Sequence, residues 1–110
     1  MSTKIITSDV KEIVAKELAL SYEKFPAFNS AHEGYAVMLE EVEELQYEVK
    51  NVTQELATYW DCVKRNDAIV NDFILNGIEK YAVNAACEAI QVAAMCRKFR
   101  ESVIEGGEDS

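Results

Sequence analysis

From Tyr35 to Val63 the apolar residues Tyr35, Met38, Val42, Leu45, Val49, Val52, Leu56, Tyr59 and Val63 follow one another in steps of three and four without a miss. An α-helix collects such a series on one face, so about four heptads of it predict one long helix with a single apolar seam. Ser30 and Glu33 form the S-x-x-E capping box that starts a helix, and the polar stretch Lys64 to Asp67 ends it near Val63. Such a seam is longer than two shorter helices cover easily. The expectation is an all-α helical bundle, a single domain over 1–110, completed by a second subunit as a homodimer or homotetramer.

The flanking segments suit the same class. Asp9 with Glu12 resembles an N-terminal cap, and Val10, Ile13, Val14 and Leu18 recur at helical spacing, which predicts a first helix over about 9–24. Pro26 in KFPAFNS interrupts it, because proline lacks the backbone donor and disfavours helix for Phe25 before it. After a cap at Asn66 or Asp67, apolar residues from Ile69 through Ala85, Ala89, Val92, Cys96 and Phe99 to Val103 suit further helix, with a split at Asn76-Gly77. An acidic tail over about 104–110 closes the chain.

Composition narrows the function classes. Twenty acidic against eleven basic side chains, a net charge of -9, oppose nucleic-acid binding, since a polyanion is repelled over most of such a surface. No apolar run reaches the roughly 18 residues of a membrane span, and the N-terminus carries no secretion signal, so a soluble, cytoplasmic protein without membrane association is expected. Cys62, Cys87 and Cys96 are odd in number and form no C-x-x-C pair; they read as small buried hydrophobes of a reducing compartment.

The acids are unevenly placed. No Lys or Arg occurs from Phe25 to Val49, although Glu33, Glu40, Glu41, Glu43, Glu44 and Glu48 all fall there, and like charges at i,i+4 cost a few tenths of a kcal/mol per pair. At 100° per residue, Glu41, Glu44 and Glu48 lie along one flank of the long helix, beside the seam. In YAVNAACEAIQVAAMC, residues 81–96, Glu88 is the one charge, and Asn84, Glu88 and Gln91 draw a polar line through alanines that let another helix approach closely. A half-buried carboxylate needs a counter-charge, and a divalent cation is a natural one where no Lys or Arg lies a turn away in the sequence. Side by side, the two helices would offer Glu41, Glu44, Glu88 and Gln91 as oxygen ligands of the kind Mg²⁺ takes. The plainer reading of the run is a solvated acidic face.

EEVEEL and the later EAIQV, within HEGYAVMLEEVEEL and EAIQVAAMCRKF, resemble the MazG-type all-α nucleotide pyrophosphohydrolases, in a subgroup of phages and bacteria. One helix of that superfamily carries E-E-x-x-E and a later one E-x-x-D; Glu40, Glu41 and Glu44 match the first, and Glu88 opens the second. Gln91 stands where the family has Asp, which removes one charge from the ligand set, and the interval between the motifs is longer than usual; Glu48 or Glu40 is the acid placed to substitute. The resemblance implies Mg²⁺, or Mn²⁺, held by Glu41, Glu44, Glu88 and Gln91. It also implies cleavage of a nucleoside triphosphate between its α and β phosphates, with Glu40 as base. Lys98, ten residues beyond Glu88, reads either as a phosphate contact or as a cation favoured by a helix C-terminus. His32 and Tyr35 read either as base contacts or as a helix-start polar residue and a core aromatic. Tyr59 and Trp60 are assigned to packing or a subunit interface. The rival to the enzyme reading is a non-catalytic, degenerate helical interaction module.

Overall fold

The computed structural model describes residues 4–106. It holds three α-helices, α1 (Lys4–Lys24), α2 (Ala31–Lys64) and α3 (Phe73–Phe99), and a closing π-helical turn, Arg100–Ile104. No strand occurs among the described residues, so the class is all-α. No helix among them is long and apolar enough to cross a membrane. Residues 107–110 of the acidic tail lie outside the described part.

α2 begins as its capping box requires. The Glu33 amide donates to Ser30 Oγ at 3.2 Å, and Glu33 Oε1 reaches back to accept the Asn29 amide at 2.8 Å. α2 ends on Asn66, whose φ of 62° lies in the left-handed region that asparagine tolerates better than most residues. The Asn66 amide donates to Val63 O and the Asp67 amide to Cys62 O, the paired bonds of a Schellman stop. Asn66 therefore closes α2 and does not open the next helix, and α3 starts only at Phe73, after a series of turns. Tyr59 fastens those turns, its hydroxyl donating to Ala68 O at 2.9 Å.

Two other boundaries differ from expectation. α1 is already helical at Lys4, which leaves Asp9 inside it and not at a cap, because no breaker stops the helix from propagating outward from its packed centre. α3 runs unbroken through Gly77: buried Ile74 and partly buried Ile78 and Tyr81 flank it, and their burial outweighs the roughly 1 kcal/mol an interior glycine costs.

The chain divides into two compact units. The first, Met1–Val42 with Ala89–Ser110, packs α1, the start of α2 and the end of α3 around Val14, Leu18, Ala94 and Met95, with Phe28, Val37, Met38 and Ile90 against them. Gly34 admits a close approach there, since a methyl at its position would overlap the Phe99 ring. The second unit, Glu43–Glu88, is the rest of α2, the turns and the start of α3, with Cys62 and Ile74 its buried apolar side chains.

The face that α3 buries in the first unit follows the apolar line of the sequence only in part: Val92 and Phe99 are partly buried, and Val103 just beyond α3 is buried. Ala89 and Cys96 are exposed, while Ala94, Met95 and Lys98 are buried. Cys87 is exposed as well, so of the three cysteines only Cys62 is the small buried hydrophobe expected. The seam of α2 is likewise covered only in part. Met38, Val42, Leu45, Val52 and Tyr59 are partly buried, whereas Tyr35, Val49, Leu56 and Val63 stand exposed on the single chain, so Tyr35 is not the core aromatic of one reading.

Candidate metal centre and cavity

In the second unit Glu44 of α2 and Glu88 of α3 bring carboxylate oxygens within 4.8 Å of each other, although they are far apart in the chain. Glu44 is exposed and Glu88 partly buried. Glu41 precedes Glu44 by one turn of α2 and belongs to the first unit. Glu48 follows one turn later, and its Oε1 is a buried acceptor with no hydrogen-bond partner among the described residues. Carboxylate oxygens are the donors hard divalent cations prefer, and an orphaned buried acceptor one turn further along α2 is a position where positive charge lowers the free energy. The residues present therefore fit Mg²⁺ or Mn²⁺.

The first unit contains a cavity of about 620 Å³. α2 contributes Glu33, Val37, Glu40 and Glu41 to its lining, α3 contributes Gln91, Met95 and Lys98, and α1 with the connection to α2 supplies the rest, from Glu17 to Asn29. Glu40 is exposed at this lining. Gln91, one turn after Glu88 on α3, donates its amide Nε2 to Glu17 Oε2 at 2.7 Å, a bond that fixes the orientation of both side chains.

Lys98 is 1% exposed. Its ammonium donates to Ser21 Oγ at 2.8 Å, Phe25 O at 3.4 Å and Ser21 O at 3.5 Å, and it lies 5.0 Å from the ring centres of both Tyr22 and Phe28. Two of those acceptors are carbonyls at the C-terminal end of α1, where the helix dipole favours a cation. Burial pushes the Lys98 ammonium below the usual lysine range, and the negative charge of Glu33 opposes that shift.

The structure thus brings Glu44 and Glu88 together in the second unit, and sets Glu40, Glu41, Gln91 and Lys98 along the cavity of the first. His32 and Tyr35 are exposed on α2 and do not line it. Glu17 and the Phe25–Asn29 connection are cavity features that the sequence reading passed over. A signal for Glu17 did exist, because a lone acid between the core residues Val14 and Leu18 must be answered by a polar partner.

No protein-family model matches this chain, and neither the curated proteins nor the solved structures return a match.

Proposed function

We propose that this chain is a divalent-metal-dependent nucleotide pyrophosphohydrolase of the MazG-like kind, hydrolysing a nucleoside triphosphate to its monophosphate and pyrophosphate. One observation carries the reading: Glu44 and Glu88, from the two helices that bear the paired acidic motifs, have carboxylate oxygens within 4.8 Å of each other. Glu41, Glu44 and Glu88 would hold the cation, with Glu48 the acid available to supply the charge that Gln91 lacks. A divalent cation held there would neutralise phosphate oxygens and so make a polyanion acceptable to an acidic surface.

The chain's own residues have the remaining tasks. Glu40, exposed on the cavity lining, takes a proton from the water that attacks the α-phosphorus. The bond from that phosphorus to the bridging oxygen breaks, and pyrophosphate leaves with the electron pair. Gln91 is held by Glu17 in the first unit, and Lys98 secures the end of α1 that forms one wall of the cavity. The exposed apolar positions of α2 favour assembly as a homodimer or homotetramer.

The test is a panel of nucleoside triphosphates incubated with purified protein, with Mg²⁺ or with chelator, followed by assay of pyrophosphate and monophosphate. The reading expects both products in equal amounts with Mg²⁺ alone, and a fall of about 100- to 1,000-fold in Glu88→Gln with helical content unchanged. Absence of pyrophosphate from every substrate would leave the helical interaction module as the better account.

A further inference from the structure

The cavity of the first unit has walls that the hydrolytic reading does not use. Phe25 is 65% exposed and lines the cavity, so its aromatic face is available to a flat ring, whereas the Phe28 ring of the same connection already carries the Lys98 ammonium. Four carboxylates, those of Glu17, Glu33, Glu40 and Glu41, line the same space against two ammonium groups, those of Lys24 and Lys98. The Lys98 ammonium is already directed to Ser21 and Phe25. Acceptors therefore dominate the lining, and two of them are oriented: Glu33 accepts the Asn29 amide, and Glu17 accepts from Gln91 at Oε2, which leaves Oε1 as an acceptor on a residue that borders the cavity.

Bases differ in what they show such an acceptor. Adenine and cytosine carry an exocyclic amino group where thymine and uracil carry a carbonyl oxygen. A fixed carboxylate attracts the first and repels the second. We propose that this cavity takes the base of the substrate and selects an amino-bearing base, with Glu17 accepting a hydrogen of the exocyclic amino group and Phe25 covering the ring. The proposal rests on the pyrophosphohydrolase reading for the identity of its ligand, but base binding itself needs no metal.

The experiment measures binding of the unphosphorylated nucleosides adenosine, cytidine, uridine and thymidine to the whole protein in chelator, by calorimetry, alongside Glu17→Gln and Glu17→Ala. Adenosine or cytidine should bind about tenfold or more tightly than uridine and thymidine to the unaltered protein. Glu17→Gln, whose amide both donates and accepts, should lose or reverse that preference, and Glu17→Ala should erase it. Equal affinity for all four nucleosides, or a preference unchanged in both variants, overturns the proposal. A preference found in a protein that releases no pyrophosphate would sink the hydrolytic reading alone. Turnover of triphosphates with an unaltered base ratio in Glu17→Gln would sink the base proposal alone.

Discussion

Lys98 shows how much one side chain can set. Its ammonium is buried against Ser21 and Phe25, and burial holds its pKa below 10.5. The folded chain therefore binds that proton less tightly than the unfolded chain, and the stability Lys98 contributes increases as pH rises through the interval below 10.5. Lys98→Met keeps much of the volume but leaves buried acceptors without a donor, and should cost about 1–3 kcal/mol at neutral pH. Urea unfolding at neutral and alkaline pH checks both statements, since the gap between unaltered protein and variant should widen as pH rises. Gly34 is constrained by shape alone. Gly34→Ala drives a methyl into the Phe99 ring, and thermal or urea unfolding should register a loss of about 1–3 kcal/mol.

At the scale of the elements, the helix boundaries make their own predictions. Gly77 lies inside α3 with only Glu55 Oε2, at 3.7 Å, near the place of a β-carbon, so Gly77→Ala should stabilise by about 0.5–1 kcal/mol; a helix break there would give no such gain. Asn66→Ala should destabilise by about 1 kcal/mol, because alanine resists the left-handed φ that stops α2, while Asn66→Gly should be tolerated. These sites also mark the limits of sequence reading. The extent of α2 was legible because a long period and a capping box agree, and the acids at Glu41, Glu44 and Glu88 were conspicuous because no Lys or Arg stands within a turn of them in the sequence. The covered face of α3 was legible only in part, since besides Val92 and Phe99 it includes Gln91 and Lys98, whose polar ends are answered by Glu17, Ser21 and Phe25 from α1 and its connection. A pattern of apolar spacing cannot register a polar residue made buriable by partners distant in the chain. For the same reason the Phe25–Asn29 segment read only as an interruption, although it walls the cavity.

At the scale of the whole molecule, the surface carries an acidic excess, with a net charge of -9, and apolar side chains left exposed on α2. Leu56 and Trp60 are 56% and 57% exposed, and in a second copy the same residues offer a matching surface. Leu56→Glu with Trp60→Glu should shift sedimentation toward the monomer. The central claim is that carboxylates from α2 and α3 together hold a divalent cation. Its most direct measurement is Mn²⁺ binding followed by electron paramagnetic resonance in the unaltered protein, Glu44→Gln and Glu88→Gln. Saturable binding, weakened about tenfold or more in each variant, is the predicted result; equal affinity in all three proteins would contradict the account.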